Sequence, residues 1–237
     1  MSAATQSTSG CGTVRPSAAT LALKRLLDVA GSSLGLITLW PLFTIIAVAI
    51  KLETPGPVFF RQERVGRGGK LFHILKFRSM VCDAPQIGRV ITIRSDSRIT
   101  RVGSFIRKIK LDEFPQLINV LIGHMSLVGP RPEVPELMTL YAQEQQALIL
   151  SFRPGMTDYA SILFRHESYL LDGRDDPVEV YRREIMPIKF SYYERYSRDV
   201  GFINDVRIIC ATVALLIIRP VPKIFGIEHA LPLTKPE

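Results

Sequence analysis

The strongest pattern in the chain is an apolar block near the N-terminus, where no side chain between Asp28 and Lys51 carries a charge. A straight helix over 29–50 would be about 30 Å long, which is about the thickness of the hydrocarbon core of a bilayer. Pro41 lies in the middle of the block, where it removes a helical hydrogen bond and its ring clashes with the preceding turn. The pattern therefore predicts a membrane helix that is broken at Pro41.

Basic residues flank the apolar block on both sides. Lys24 and Arg25 precede it, and it is followed by Lys51, Arg61, Arg64 and Arg67. Because basic flanks favour the cytoplasm, we expect both ends on one side of the membrane, with a re-entrant helix over 21–51 made of two short arms. Three alternatives stay open: a kinked spanning helix, a buried core helix, and a signal peptide with its cleavage pattern at Ala47-Val48-Ala49.

The remaining chain divides by composition. Residues 1–20 are rich in Ser, Thr, Ala and Gly without apolar periodicity, which predicts a flexible tail. Residues 219–237 contain spaced prolines and are predicted to form an extended C-terminal tail. Residues 52–218 suffice for one catalytic domain that includes interfacial helices. The expected fold class is α/β, mostly helical with few short strands.

Local patterns inside this domain predict a hairpin and several helices. Two β-rich runs at 58–60 and 71–75 flank a glycine-rich turn at 66–69. Helices are expected over 136–151 and over 178–196, the second interrupted at Pro187. The apolar run 208–218 is too short to cross a bilayer, so it is predicted to be either a core helix or an interfacial helix.

The charge balance indicates an anionic partner. The formal net charge is +8 and the sequence pI is about 9.6, which suits nucleic acid, acidic lipid headgroups or a phosphorylated substrate. A nucleic-acid binder is disfavoured because interleaved stacking aromatics and a recognition motif are both missing. The three cysteines and four histidines are scattered, so they predict neither a disulfide framework nor a zinc site.

Two adjacent acids are the strongest candidates for chemistry. Asp112 and Glu113 precede an apolar series with helical spacing at Phe114, Leu117, Ile118 and Leu121. The simplest interpretation is that Asp112 caps this helix. Many basic residues surround the pair in sequence, however, and carboxylates in a cationic environment are typical of metal-assisted phosphoryl chemistry.

A candidate phosphate ligand follows in the segment Gly129-Pro130-Arg131-Pro132. The flanking prolines restrict the backbone, so the Arg131 guanidinium could bind a phosphate through two hydrogen bonds. The alternative is an exposed arginine in an ordinary turn.

Four segments together resemble the monotopic phosphoglycosyl transferases, the bacterial sugar transferase family. They are 76–80 (KFRSM), 106–108 (IRK), 111–117 (LDEFPQL) and 125–133 (MSLVGPRPE). The resemblance extends from about Lys24 to about Leu216, and the occurrence of these motifs in order is more specific than any one of them.

This resemblance implies an enzyme that moves a sugar 1-phosphate from a UDP-sugar to polyprenyl (undecaprenyl) phosphate, with release of UMP. In this family Asp112 would be the nucleophile and a Mg²⁺ ligand, and Glu113 its acid/base partner. Arg107 and Arg131 would bind phosphate, with Lys76 and Arg78 as weaker candidates.

The resemblance also implies a place in the cell. The catalytic domain is expected on the cytoplasmic face of the bacterial inner membrane, against anionic lipids and without nucleic acid. The reaction would be the first membrane step of a glycoconjugate pathway such as exopolysaccharide synthesis, and a homodimer is left open. A non-catalytic membrane scaffold is the rival function.

Two positions depart from the family pattern. Trp40 precedes the predicted helix break where a small polar residue is familiar, and Asp158-Tyr159 stands where many members carry Gly-Trp. The second departure predicts a difference in sugar or nucleotide selection.

Overall fold

The structure is a computed structural model that describes residues 16–82, 96–165, 167–171 and 176–217, without the side chains of residues 168 and 169. The predicted C-terminal tail and the first fifteen residues of the predicted N-terminal tail lie outside these ranges.

The described chain is mostly helical, with four short strands, as the sequence predicted. The helices are α1 (Ala18–Glu53), α2 (Arg101–Lys108), α3 (Gln116–Leu121), α4 (Pro135–Met138), α5 (Gln143–Ser151), α6 (Tyr159–Leu163), α7 (Glu167–Leu170), α8 (Pro177–Val180), α9 (Met186–Arg198) and α10 (Phe202–Ile217). The strands are β1 (Phe59–Val65), β2 (Leu71–Phe77), β3 (Ser126–Val128) and β4 (Gly155–Thr157).

Two small sheets organise the body. The predicted hairpin is confirmed: β1 and β2 are antiparallel, with Phe59 opposite Phe77. The second sheet pairs β3 with β4 in parallel, with Ser126 opposite Gly155. Residues 126–128 and 155–157 are too short for a clear period-two pattern, so this sheet was not predicted.

The long helix α1 differs from the prediction at both ends and at its centre. It begins at Ala18, within the predicted tail, where the Ser17 hydroxyl accepts a hydrogen bond from the Thr20 amide at 3.1 Å. It ends at Glu53 and continues as a helix through Pro41, so no non-helical segment separates two arms. A proline removes one backbone donor, and the surrounding turns maintain the helix.

One face of α1 packs on the body over nearly its whole length, which is about 54 Å for 36 residues. Near its start, the Asp28 carboxylate accepts hydrogen bonds from the Ser126 hydroxyl at 2.9 Å and the Leu127 amide at 2.8 Å. Near its end, Ile46 and Ile50 pack with Phe77 and Ile106. The Glu53 carboxylate then accepts from the first amides of α2, those of Arg101 at 2.6 Å and Val102 at 3.0 Å.

The opposite face of α1 is apolar and exposed. Its exposed side chains include Leu26, Leu34, Ile37, Trp40, Ile45, Val48 and Leu52. By length and composition α1 could cross a membrane, and an exposed apolar surface of this extent is typical of a membrane or protein contact. The length and composition of α1 and its exposed apolar face together indicate membrane association.

The two basic residues before the apolar block bind the body. The Lys24 ammonium donates to the Val128 carbonyl at 2.7 Å and to the Asp205 carboxylate at 2.6 Å. The Arg25 guanidinium donates to the carbonyls of Val120 at 2.7 Å and Leu121 at 2.8 Å, at the C-terminal end of α3. These cations were predicted only as a membrane flank, because their partners lie far away in sequence.

Three other helix predictions need correction. The segment 136–151 forms two helices, α4 and α5, rather than one. The interruption in 178–196 takes the form of a π-helical turn, Tyr181–Ile185, directly before α9, whose first turn contains Pro187 and so tolerates its missing donor. The apolar run near 208–218 belongs to the longer α10, which buries Ile208 and Ala211 and exposes Val213.

We predict that Gly103→Ala destabilises the protein, since a Cβ there would overlap the backbone carbonyl of Ser79, which cannot rotate away. Overpacking of this kind costs roughly 1–3 kcal/mol or more, and it would also displace α2. The control is Gly201→Ala, whose Cβ would meet its nearest atom at 3.9 Å. Thermal unfolding in detergent should show a lower Tm only for Gly103→Ala, and equal Tm values would contradict the packing described here.

Candidate active site

The acid pair lies in a 3₁₀ turn, Leu111–Glu113, between α2 and α3. Lys110 precedes the turn with a left-handed backbone, φ 62° and ψ 19°, and so reverses the chain after α2. Helix α3 begins only at Gln116, with Pro115 as its cap residue. Asp112 therefore lies inside the 3₁₀ turn and not at the cap position of α3, so the interpretation of Asp112 as a helix cap is wrong.

Glu113 is held between two cations. Its Oε1 accepts from the Lys76 ammonium of β2 at 2.9 Å and also from the Arg131 guanidinium, which follows β3. Burial alone would raise the pKa of Glu113, but the charges of Arg131 and Lys76 hold it well below its usual value. Glu113 is therefore ionised, and it binds three chain segments together.

The environment of Asp112 shifts its pKa in the opposite direction to that of Glu113. Its side chain is buried, with the residue 8% exposed, and burial together with the charge of Glu113 raises its pKa. Its Oδ1 is buried and has no hydrogen-bond partner among the described residues. Because buried acceptors are normally satisfied, this oxygen is suited to a ligand that brings a cation or an electrophile.

A single cavity of about 1320 Å³ contains both acids. This volume exceeds the roughly 300–1,000 Å³ of a typical small-molecule pocket, so there is room for more than one substrate group. The predicted site residues Lys76, Arg78, Arg107, Asp112, Glu113 and Arg131 all line it.

Two further cations reach the acid pair. Arg107, on α2, donates to the Ser79 hydroxyl at 3.4 Å, and its positive charge partly offsets the rise that burial causes in the pKa of Asp112. Lys110 also lines the cavity, and its charge acts on both Asp112 and Glu113. In sequence Lys110 was one of many basic residues near the pair, and only its backbone conformation distinguishes it.

Arg131 is not an ordinary turn residue. Gly129 donates to the Thr157 carbonyl at 3.0 Å, and the Pro130 carbonyl accepts from the Gly155 amide at 2.9 Å. A Cβ on Gly129 would lie 2.6 Å from the Arg153 carbonyl oxygen, so this position requires glycine. The second sheet therefore fixes the segment that carries Arg131.

Arg64 was not predicted as part of the site. It lies on β1, donates to the Pro132 carbonyl at 3.1 Å, and burial lowers its pKa. Its charge also interacts with those of Glu133, Arg131 and Glu113. A basic residue inside an otherwise pairing strand was the available signal, but the charge pattern indicated only a membrane flank for Arg64.

Arg78 lines the same cavity, but its hydrogen bonds go to residues away from the acid pair. It is 5% exposed, and its terminal nitrogens donate to the carbonyls of Pro55 at 2.5 Å and Thr54 at 2.7 Å and to the Cys82 sulfur at 2.8 Å. Its hydrogen bonds thus join β2 to the end of α1.

Comparison with known proteins identifies the family. The family model described as "Bacterial sugar transferase" matches residues 19–219. The chain belongs to the bacterial sugar transferase family. The resemblance read from the sequence, and with it the assignment to enzymes of the phosphoglycosyl transferase class, is confirmed.

Several relatives of this sugar transferase have names that describe an activity. It is 39% identical to a UDP-glucose:undecaprenyl-phosphate glucose-1-phosphate transferase of Caulobacter vibrioides, over 82% of this chain and 69% of the relative. It is 37% identical to the exopolysaccharide production protein PSS of Rhizobium leguminosarum, over 81% of this chain and 94% of the relative. It is 43% identical to an undecaprenyl-phosphate glucose phosphotransferase of Komagataeibacter xylinus, over 80% of this chain but 35% of that longer protein.

The site of this sugar transferase fits a divalent cation held by few protein ligands. Among the described residues there is no group of three His, Cys, Asp or Glu side chains that could hold a metal. Mg²⁺ is commonly bound by one or two carboxylates together with substrate phosphates. The unpartnered Oδ1 of Asp112 matches that donor set, whereas Oε1 of Glu113 already binds two cations.

We predict that Arg131→Lys raises the donor KM or lowers kcat by about tenfold or more, since an ammonium cannot offer the planar pair of donors that fits phosphate oxygens. The matched variant Arg78→Lys should lower Tm, because it loses hydrogen bonds to Thr54 and Pro55, while the folded fraction keeps its kinetics. UMP release gives the kinetics of the two variants, and thermal unfolding gives their Tm. A stable Arg78→Lys enzyme with a raised KM would instead make Arg78 a phosphate ligand.

Proposed function

We propose that this sugar transferase moves a sugar 1-phosphate from a UDP-sugar to undecaprenyl phosphate through a covalent intermediate on Asp112. The observation that carries the proposal is the buried Oδ1 of Asp112, which has no hydrogen-bond partner in the described part of the chain and lies in a cavity lined by Lys76, Arg107, Lys110 and Arg131. A carboxylate beside several cations is suited to attack a phosphoryl group whose negative charge those cations stabilise. The names of the relatives supply the donor and the acceptor.

In the first half-reaction, an oxygen of Asp112 attacks the β-phosphorus of the donor. The bond between this phosphorus and the oxygen that links it to the α-phosphorus breaks. UMP leaves with the electron pair, and an aspartyl phosphosugar forms. In the second half-reaction, a phosphate oxygen of undecaprenyl phosphate attacks the same phosphorus. The bond to Asp112 breaks, which restores the carboxylate and yields the undecaprenyl-diphosphate sugar.

The cations and Glu113 position the reacting phosphorus. Arg131 and Arg107 bind phosphoryl oxygens, and Lys76 supplies further positive charge. The acid/base role that the family resemblance implies for Glu113 stays a prediction. The two ion pairs favour a positioning role, since a carboxylate whose pKa is held well below its usual value is a poor proton acceptor at neutral pH.

Asp112, together with the donor's phosphate oxygens, would hold Mg²⁺. When bound, the ion would neutralise charge on the diphosphate and on the departing UMP.

We also propose that α1 re-enters the membrane without crossing it. Both of its ends bind the same body, through Asp28 near the start and Glu53 at the end. A crossing helix would have to place these two ends on opposite sides of the bilayer. Pro41 lies on the exposed face, where a missing hydrogen bond lets a helix bend toward the body.

With this topology, we propose that the catalytic domain lies on the cytoplasmic face of the bacterial inner membrane, where UDP-sugars are made. The exposed apolar face of α1 would contact lipid chains, and the net positive charge of the protein would favour anionic headgroups.

Asp112→Asn tests the nucleophile. UMP release from a panel of UDP-sugars with undecaprenyl phosphate and Mg²⁺ should fall by at least about a thousandfold, because an amide cannot form the covalent intermediate. Tm should not fall, since burial of the ionised carboxylate is unfavourable. The exposed residue Asp199 supplies the control Asp199→Asn. Retained activity in Asp112→Asn would defeat the assignment, and no UMP release by the wild type with any donor would defeat the function.

Cysteine labelling in intact cells tests the topology. In a variant with Cys11 and Cys210 replaced by serine, Cys82 reports the body, and a second variant carries its only cysteine in an N-terminal tag. We expect both to resist an impermeant thiol reagent until the inner membrane is permeabilised. Labelling of one of the two from outside would show that α1 spans the membrane.

A further inference from the structure

We propose that Glu133, oriented by Tyr181, binds the hydroxyl groups of the donor's sugar and so takes part in choosing the sugar. The inference rests on the proposed function, because it assigns a further part of the same cavity.

Glu133 lies two residues beyond the phosphate ligand Arg131 and lines the same cavity. It is 5% exposed, and its Oε1 accepts a hydrogen bond from the Tyr181 hydroxyl at 2.7 Å. Within the described part of the chain only Tyr181 donates to this carboxylate, so Oε2 keeps its capacity to accept. The charge of Arg64 offsets that of Glu133, which makes the buried carboxylate tolerable.

The charge of Glu133 selects the chemistry of the ligand. A carboxylate only accepts hydrogen bonds and repels phosphate, so it is unsuited to the diphosphate itself. The group attached to the β-phosphorus is a sugar, which is uncharged and carries several hydroxyl donors. When Arg131 binds the phosphate end, a carboxylate two residues away is placed to accept from this neighbouring group.

The tyrosine that orients Glu133 is itself fixed. Tyr181 is buried in the π-helical turn before α9. The Lys189 ammonium lies 3.4 Å from its hydroxyl oxygen and 4.7 Å from its ring centroid, and Lys189 also pairs with Glu167 at 2.6 Å. The Tyr181 hydroxyl therefore points its proton at Glu133, because the lysine can only donate.

Two other hydroxyls in the same cavity are suited to a sugar. Tyr193 and Ser161 line it, and neither side-chain oxygen has a hydrogen-bond partner within the described residues. A purely structural polar network would satisfy such groups internally. Hydroxyls that both donate and accept match a pyranose ring, which also does both.

The test compares Glu133→Gln and Tyr181→Phe with the wild type. Calorimetry would measure the affinity for UDP alone and for UDP-sugars, and UMP release would give kcat/KM for each donor. The control is Glu136→Gln, which removes the same charge from an exposed position on α4.

We expect Glu133→Gln to weaken binding of the preferred UDP-sugar, or to change the ratio of kcat/KM between donors, by about tenfold, since one lost charged hydrogen bond has this size. UDP affinity should change less than about twofold, because UDP lacks the sugar. Tyr181→Phe should change the ratio of kcat/KM between donors in the same direction by a smaller factor. If Glu133→Gln does not fold, this variant alone tests the inference. Glu136→Gln should match the wild type.

Three results would overturn the inference. Unchanged donor ratios and affinities in an active Glu133→Gln enzyme would make the network structural, with the proposed function intact. An equal loss of UDP and UDP-sugar affinity would assign Glu133 to the nucleoside. Absence of UMP release by the wild type with every donor would remove the proposed function, and this inference with it.

Discussion

The ion pairs of Glu113 with Lys76 and Arg131 are the constraint on which the site depends. They join β2, the 3₁₀ turn and the segment after β3, which are distant in sequence. A half-buried carboxylate loses part of its hydration, and pairing with two cations compensates for that loss, so these ion pairs favour the arrangement in which the three segments meet. The environment of Asp112 follows from the same arrangement: Glu113 pairs with the two cations, and the buried Oδ1 of Asp112 has no hydrogen-bond partner within the described ranges.

The membrane helix is part of this arrangement rather than an added anchor. Arg25 binds the end of α3, the helix that follows the acid pair, while Glu53 binds the start of α2, the helix that carries Arg107. Both helices that flank the 3₁₀ turn are thus held by α1. The apolar outer face of α1 is therefore fixed relative to the cavity, and a membrane contact made by that face orients the site.

The sequence predicted what depends on neighbouring residues: the hairpin, the apolar helix and the acid pair among basic residues. It did not predict what depends on distant contacts. The partners of Lys24, Arg25 and Arg78 lie in segments that only the folded chain brings together. Helix continuity at Pro41 was missed for a related reason, since packing of α1 on the body opposes the local effect of proline. Arg64 and Glu133 could be assigned to the site only because the folded chain places both in the wall of the same cavity.

The composition of the cavity suits two substrates that arrive from different phases. Its cationic part, at Lys76, Arg107 and Arg131, attracts phosphate groups from water. Another part of its wall consists of Ile209, Val213 and Leu216 on α10. Val213 and Leu216 are also exposed on the protein surface. Apolar side chains that are both exposed and part of the cavity wall favour a lipid substrate. The covalent intermediate that we propose on Asp112 would reconcile these two substrates, because the nucleotide could leave before the lipid phosphate enters the same cationic region.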